Sequence, residues 1–524
     1  MGARANMWRT SRVLLGVLLV VLPALGAGQT ASRTRVRLLS AGSIARDPSV
    51  SGVQRLLDGV ALGYRDAVLN CDSAWRYDDG RFEAMGRVVL TDRSGLVMRS
   101  SRMLLDPEGD AVTATGRLGL PVTLRDRTGE LEAPVIRYDT EARVATYSSG
   151  GTLKREGRTV RSRTGRYDVE SGWLHLGGAV RMTSSDETLT CDSLLYRASD
   201  STVRFLSPTR VTTADGRYDV SCSRGLWVLD RETGWLGGSP ARVRRDGDVL
   251  EADSITIDGP DGPTTAVGHV LAWDTAGTWW SRGASLWRTA EGVGGVVGTD
   301  GGVGSERAHF LTVTDGDTLW VTADTLYTSD TELRAFPRAR ARVSGMDALC
   351  DTLVWASADS VLDLHGSPRV WFDGRLLVAD SVQAATDQGK LTGFRAAGHA
   401  VVVAEVPELA DSLSGFDQIA GRLIEGDFAD GELVHLRVTG NSEAVVVDAD
   451  DPARPSVNRA TGSRLRLDFT ARELEQVALL DGPSGRWDQF PAAEGLAFRV
   501  EGFRWEPAPA EVDFGGIFPT LARP

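Results

Sequence analysis

A short sequence pattern recurs about every 30 residues along this chain, and it constrains the fold more than any other feature. In each copy a small residue, Cys or Ala, is followed by Asp and then by Ser or Thr. The small residue of the clearest copies is Cys71, Cys191, Ala252, Ala323, Cys350 or Ala379. About ten residues later comes a segment that contains Gly, as in Phe82–Leu90 and Leu176–Met182. A repeat of this length indicates stacked units that bury their apolar sides against their neighbours.

Apolar and polar residues alternate inside each unit, which is typical of β-strands with one buried face. One side of such a strand carries Leu189, Cys191, Ser193 and Leu195. Short strand-like segments between Gly and Asp turns, with no helical period beyond the N-terminal segment, predict an all-β protein. The residues predicted to point inward are Leu69, Cys71, Leu189, Cys191, Leu250, Ala252, Ala323, Cys350 and Ala379. Those predicted to point outward are Asp72, Asp192, Asp253 and Asp380.

The first 27 residues have the composition of a secretory signal peptide. Arg4, Arg9 and Arg12 precede the apolar run Val13–Leu25, which is too short to span a bilayer. Small residues then provide a cleavage site. We therefore predict that residues 1–27 direct export, the alternative being an anchor that stays uncleaved.

The charge and the polar residues exclude several functions. A formal net charge of −13 is unsuited to a nucleic-acid partner, because phosphate binding requires clustered Lys and Arg. The Asp of the repeat occurs once per unit, and His175, His269 and His399 lie beside its Gly segments, so we interpret both sets as structural. No Cys/His cluster with ligand spacing is present, so neither a metal nor a cofactor is predicted. We predict that the protein is not an enzyme.

The repeat unit, Ala/Cys-Asp-Ser-Leu-x-Tyr-Asp followed by Ala-x-x-x-Gly-x-Val, resembles the OstA-like proteins. This family is related to LptA, the periplasmic bridge protein of lipopolysaccharide transport, and to the N-terminal domain of LptD. The resemblance extends over roughly residues 36–505. Further segments that fit the family are Leu38–Ile44, Val53–Val60, Gly421–Leu423, Leu433–Ala444, Ala460–Leu465 and Gly502–Trp505.

The resemblance implies a β-jellyroll, that is, two sheets forming an open, elongated V whose apolar interior holds lipid acyl chains. It implies a non-enzymatic periplasmic protein, associated with the outer membrane, that binds lipopolysaccharide or a related lipid. Its implied partners are other jellyroll components of the transport system, joined through exposed edge strands, and the barrel that assembles in the outer membrane. The candidate groove residues are Leu69, Val88, Leu90, Val180, Met182, Leu189, Leu195, Val203, Phe205 and Leu250.

The repeat rhythm also divides the chain. Two jellyroll arrays are predicted, at residues 36–288 and 307–505, followed by a C-terminal tail at residues 506–524. The Gly-rich stretch 289–306 between them lacks the Lys-Ser/Thr of a phosphate-binding loop, so we predict a flexible loop or a hinge.

Two other functions are compatible with the sequence. An exported structural or adhesive solenoid would have a sealed, dry core and would bind its partners on the surface. A carbohydrate-active β-helix enzyme would have one acidic cleft lined by aromatic residues. Extractable lipid in an open interior distinguishes the transport function from both.

Export and fold give conflicting expectations for the four cysteines. An oxidising compartment favours disulfides, and Cys191 and Cys222 occupy the same position in consecutive units. If these units stacked in parallel, the two Cα atoms would be about 4.8 Å apart, within disulfide range. The antiparallel jellyroll implied by the resemblance does not require them to be neighbours, so we expect four free thiols.

Overall fold

The structure is a computed structural model that describes most of the chain. The described residues are 36–46, 52–106, 110–127, 129–299, 306–314, 317–343, 345–356, 360–387, 390–406, 409, 415–449, 451, 454–470, 473–489 and 499–522. The predicted signal peptide, residues 1–27, lies outside them. The described chain consists almost entirely of antiparallel strands, which confirms the all-β prediction. In this part of the chain no helix is both long enough and apolar enough to cross a membrane.

The strands are short in the first part of the chain and longer near its end. The first group is β1 (Arg37–Ser40), β2 (Ser43–Arg46), β3 (Val53–Leu57), β4 (Val60–Tyr64), β5 (Ala67–Cys71), β6 (Ser73–Tyr77), β7 (Phe82–Thr91), β8 (Val97–Asp106), β9 (Ala111–Thr115), β10 (Val122–Asp126), β11 (Gly129–Ala133), β12 (Val135–Asp139), β13 (Val144–Tyr147), β14 (Gly151–Arg155), β15 (Arg158–Ser162) and β16 (Thr164–Asp168). The second group is β17 (Trp173–Thr183), β18 (Glu187–Arg197), β19 (Thr202–Phe205), β20 (Thr209–Thr213), β21 (Tyr218–Cys222), β22 (Arg224–Val228), β23 (Thr233–Arg245), β24 (Asp248–Asp258), β25 (Thr264–Asp274), β26 (Trp279–Arg288), β27 (Gly294–Val297), β28 (Ala308–Thr314), β29 (Asp317–Ala323) and β30 (Thr325–Thr328). The third group is β31 (Glu332–Phe336), β32 (Ala339–Val343), β33 (Met346–Cys350), β34 (Thr352–Ala356), β35 (Val361–His365), β36 (Arg369–Phe372), β37 (Arg375–Val378), β38 (Ser381–Asp387), β39 (Lys390–Glu405), β40 (Phe416–Ala429), β41 (Glu432–Asp448), β42 (Ser456–Thr470), β43 (Glu473–Leu480) and β44 (Ser484–Gln489). The strands are followed by the short helix α1 (Phe514–Ile517) and a single 3₁₀ turn, Pro519–Ala522.

The pairing of these strands forms two hydrogen-bonded ladders that run side by side. The first ladder begins with β1, β4, β5, β7, β8, β10, β11, β14 and β15 and ends with β44. The second ladder begins with β2, β3, β6, β7, β8, β9, β12, β13 and β16 and ends with β43. Long strands such as β17 and β18 belong to both ladders, one half to each.

Every unit of the repeat crosses between the ladders twice, at a line that we call the crease. In one crossing the chain passes the Asp-Ser pattern, as at Asp72 between β5 and β6. In the next it passes a Gly at which the strand bulges, as between Met85 and Val88. The hairpin turns lie on the side away from the crease, and we call these two rows of turns the lips. About 30 residues therefore form one hairpin that contributes two strands to each ladder.

The space between the ladders is filled mainly by apolar side chains, in two clusters. One cluster includes residues from Leu56 to Val270, the other residues from Val296 to Leu467, and Leu286 packs against both. The inward prediction is confirmed, since its nine residues belong to the clusters or, like Cys191 and Leu250, pack half-buried against them. The outward Asp side chains are exposed.

The predicted Gly-rich loop and the predicted tail both have structure. Gly294–Val297 form β27, which pairs with β26 and β30 in the second ladder, so this part of residues 289–306 is strand. Residues 499–522, which we call the strap, run back along the outer face of the first ladder. Phe518 is fully buried there, beside Trp280 and Trp320. The Trp371 indole nitrogen donates to the Glu506 carbonyl oxygen at 2.8 Å.

All four cysteines are free, as expected. Cys191 pairs with Thr209 of β20, and Thr209 pairs with Cys222 of β21. One strand therefore separates the two thiols, and two strand spacings, roughly 9.6 Å, exceed the Cα separation that a disulfide allows. Burial raises the pKa of Cys191 to about 11, so its thiol is protonated at neutral pH.

Candidate ligand-binding cavity

The repeated geometry of the crease explains the recurring Asp, Gly and His residues. Gly268 has φ +80°, and a Cβ there would lie 2.4 Å from Asp253 Oδ2, so only Gly fits beside the carboxylate. The next residue, His269, places Nδ1 2.8 Å from Asp253 Oδ2. His399 and Asp380 repeat this pair at 3.0 Å.

The first copy of the crease has Arg in place of His. The backbone N–H of Arg87 donates to Asp72 Oδ2 at 3.1 Å, and the guanidinium also contacts this carboxylate. The structural interpretation of the Asp residues is thus supported by their contacts. His175 differs from the other two histidines, because it lies two residues before Gly177 and pairs in the ladder with Arg166.

The predicted groove residues lie in the interior with one exception. Buried in the first cluster are Leu69, Val88, Leu90, Val180, Met182, Leu189, Val203 and Phe205, and Leu250 packs against it. Leu195 was predicted on the inward side, but Leu194 and Tyr196 of the same strand are buried in the cluster instead. The inward side of β18 changes from odd to even residues at the crease, because β17 bulges opposite it between Gly177 and Val180.

Near the lips the interior opens into a cavity of about 270 Å³. Four hairpin turns border it, near Asp215, Glu232, Asp246 and Pro260. Its apolar wall consists of Phe205, Val211, Val220, Trp227, Leu236 and Ile257. Phe205 is the only predicted groove residue among them. We call this opening the mouth.

Side-chain size along two rows of paired residues explains where the mouth lies. In the first ladder, the paired row near the lip reads Leu153, Val160, Met182, Leu189, Val211, Val220 and Val243. In the second, it reads Tyr138, Ala145, Tyr167, Leu174, Tyr196, Val203, Trp227, Gly234 and Ile257. The first row falls to Val at the mouth, and the second row has Gly234 there beside Trp227, so the space between the ladders is no longer filled.

Charged groups surround the apolar wall of the mouth. Arg217 is paired with Asp246. Arg245 donates to the Pro260 carbonyl oxygen at 2.9 Å. Burial raises the pKa of the Glu187 carboxyl, and the positive charge of Arg158 offsets only part of this shift. Burial also raises the pKa of Tyr218, which stays neutral.

No metal-binding group can be assembled from these residues. The described part of the chain contains no set of three or more His, Cys, Asp or Glu side chains placed to hold a metal ion. Each pair at the crease joins one carboxylate to one basic side chain, His or Arg, and the acids of the mouth come from separate turns. The chemistry that this arrangement offers is the burial of an apolar ligand beside charged groups.

Comparison with known proteins identifies a relationship in the first part of the chain. Residues 33–192 match the family described as OstA-like protein, which confirms the resemblance for this segment. A solved structure with local similarity is LptH from Pseudomonas aeruginosa, described as the LptA-homologous periplasmic component of the lipopolysaccharide transport device. It is 16% identical, with a TM-score of 0.20, and the match covers 23% of this chain and 82% of that chain. None of the curated proteins matches.

Proposed function

We propose that this protein holds acyl chains of lipopolysaccharide, or of a related lipid, between its two ladders and passes the lipid between components that build the outer membrane. It would do so in the periplasm, after export, and without catalysing a reaction. The match of residues 33–192 to the OstA-like family supports this proposal. The mouth supplies the physical basis.

The observation that carries the proposal is an apolar cavity that opens to solvent between two polar lips. Each acyl CH₂ group that leaves water for such a wall contributes about 0.8 kcal/mol. The sugars of the lipid would stay outside, beside the charged turns. Phe205, Trp227 and Ile257 provide the largest apolar surfaces for this contact.

Transfer along the molecule requires the lips to part where the interior is filled. Tyr167 of β16 donates to Asp126 of β10 and thereby joins the lips of the two ladders. Arg158 of β15 reaches Asp230 of the second ladder at 2.5 Å. Each of these contacts joins two side chains and involves no backbone pairing, so opening them costs less than unfolding a strand.

Edge strands offer the surface for partners of the same fold. β1 and β2 end the two ladders at one end of the stack, and all their residues are exposed, including Leu39 and Ile44. At the other end β44 presents Trp487, which is 63% exposed. An edge strand with free N–H and C=O groups can pair with an edge strand of another chain.

Site-specific photo-crosslinking in cells tests the lipid proposal. A crosslinker that replaces Phe205 or Ile257 should capture lipid, which mass spectrometry of the adduct identifies. The matched control is Arg204, the neighbour of Phe205 on the opposite face of β19. Capture at Arg204 equal to that at Phe205 would contradict the proposal, whereas weak capture at the packed residue Val88 agrees with it.

A further inference from the structure

We infer that the ligand entering the mouth carries a cationic group, an amine, next to its acyl chain. This inference rests on the proposed function and specifies the ligand class of the same site. It follows from the pairing of the charged groups around the mouth, where, in the described part of the chain, the cations have partners and two carboxylates do not.

The cations of the mouth already have partners. Arg217 pairs with Asp246. Arg245 lies 3.7 Å from the same carboxylate and also donates to Pro260. Arg158, the cation that acts on Glu187, is bonded to Asp230 at 2.5 Å and to Ser201 at 3.3 Å. A phosphate group at the mouth would have to break one of these pairs.

Two carboxylates of the mouth, in contrast, lack a partner among the described residues. Glu187 lies at the start of β18 in the first ladder, and Glu232 lies in the turn before β23 in the second ladder. Among the residues that the structure describes, no hydrogen bond or ion pair engages either carboxylate. The two face each other across the mouth closely enough for the charge of Glu232 to raise the pKa of Glu187.

The position of Glu187 makes this imbalance significant. Its strand neighbour on the same face, Leu189, is buried in the core, and Glu187 itself is half-buried beside the apolar wall. A carboxylate in such a place gains more from a nearby cation than one in water, because fewer water molecules solvate it. An ammonium group between Glu187 and Glu232 would reach both, and its alkyl chain would lie on Val211, Val220 and Ile257.

Charge complementarity therefore selects among amphiphiles with the same chain. An alkylammonium satisfies both acids and disturbs no existing pair. A neutral sugar head group leaves the acids as they are. An alkyl phosphate meets two uncompensated negative charges and binds most weakly.

Calorimetric titration of the whole mature protein with dodecylammonium, dodecyl maltoside and dodecyl phosphate, each below its micelle concentration, tests the inference. We expect dodecylammonium to bind about tenfold more tightly than the maltoside, and the phosphate to bind more weakly than both. In the double variant Glu187→Gln/Glu232→Gln the three affinities should agree within about twofold. Glu170→Gln, an exposed acid in a turn outside the mouth, should leave the preference unchanged.

The outcomes distinguish a failure of the cationic-ligand inference from a failure of the lipid proposal. Tight binding of dodecyl phosphate, or a preference for the amine that survives in the double variant, overturns the cationic ligand and leaves the lipid proposal standing. Binding of none of the three probes, or binding that is unaffected when Val211→Phe fills the cavity, overturns the lipid proposal and the inference with it. Circular dichroism of the Val211→Phe protein verifies that it is folded.

Discussion

Two neighbouring stretches of this molecule share one architecture and differ in what fills it. We call residues 122–200 the filled stretch, where the gap between the ladders beside Leu124, Leu153 and Tyr196 is about 10 Å³, room for one water molecule. In the mouth, which is lined by Glu187 and by residues between 205 and 260, the gap is about 270 Å³. Both stretches have the same strand pairing and the same crease. The difference therefore comes from the side chains near the lips.

The contacts between the lips differ in kind. In the filled stretch the side chains of Tyr167 and Asp126 join the two ladders. In the mouth the Arg217–Asp246 pair connects two turns of the first ladder only, and the ladders are joined by Arg245, which donates to the Pro260 carbonyl oxygen at 2.9 Å. A repeat protein can thus place an opening within a continuous stack by substituting side chains, without changing the backbone of the unit.

Removing a large side chain from the filled stretch should have the largest effect. Tyr196→Ala deletes a buried ring and should destabilise the surrounding strands by about 3–5 kcal/mol. Val220→Ala in the mouth, where one side already faces a cavity, should cost about 1 kcal/mol, because fewer contacts are lost. Hydrogen exchange of the amides in β18 and β21 measures both effects locally, as unfolding of a long repeat array is not two-state. Equal losses at the two sites would refute the comparison.

Much of this comparison could be predicted from the sequence, and the missing part has a physical cause. Period-two alternation and the small repeat residue correctly predicted the inward side at Leu69, Cys71 and Ala252. The inward prediction for Leu195 was wrong because the alternation of inward and outward residues changes phase at the crease. The sequence of β18 does not indicate the bulge in its partner strand β17.

The mouth was missed for a related reason. The decrease from Leu153 and Met182 to Val211 and Val220 is visible only once the pairing register is known. Similarly, residues 506–524 were predicted as a tail. Leu319, Trp320 and Val321 are apolar in succession, which is typical of a strand buried on both faces and so indicates that the outer face of β29 is covered. The structure shows that Trp320 packs against the strap cluster and Val321 against the core.

Substitution at the crease should affect both stretches alike. Gly178→Ala and Gly268→Ala each place a Cβ at φ +74° and +80°, against Arg163 and Asp253 respectively. We expect a loss of about 1–3 kcal/mol in both cases. Gly157→Ala, at φ +78° in a hairpin turn with nothing within 4 Å, isolates the cost of backbone strain alone. Hydrogen exchange again measures the effects, and a large difference between the two crease sites would show that the crease is not equivalent in the two stretches.

Adding a methylene should have opposite effects in the two stretches. Val220→Leu extends into the cavity and should stabilise the mouth by up to about 1 kcal/mol, because it buries apolar surface without displacing a neighbour. Val160→Leu enters a filled space between Leu153 and Met182 and should cost about 1–3 kcal/mol. Hydrogen exchange of the amides in β15 and β21 measures both effects locally. Destabilisation by Val220→Leu would mean that the mouth is closed in solution.

The smallest expected effect concerns the unpaired carboxylate of the mouth and depends on pH. The pKa of Glu187 is raised in the folded protein, so above that pKa its ionised form opposes folding, and as the pH falls below the ordinary Glu value the penalty disappears. Glu187→Gln should therefore stabilise the protein at pH 7 by about 0.5 kcal/mol or less and have no effect in acid. In the filled stretch, Glu132 is paired with Lys154 at 2.8 Å, so Glu132→Gln should be neutral or slightly destabilising at pH 7. Thermal unfolding at several pH values gives the sign, and stabilisation by Glu187→Gln that persists in acid would mean that its charge is not the cause.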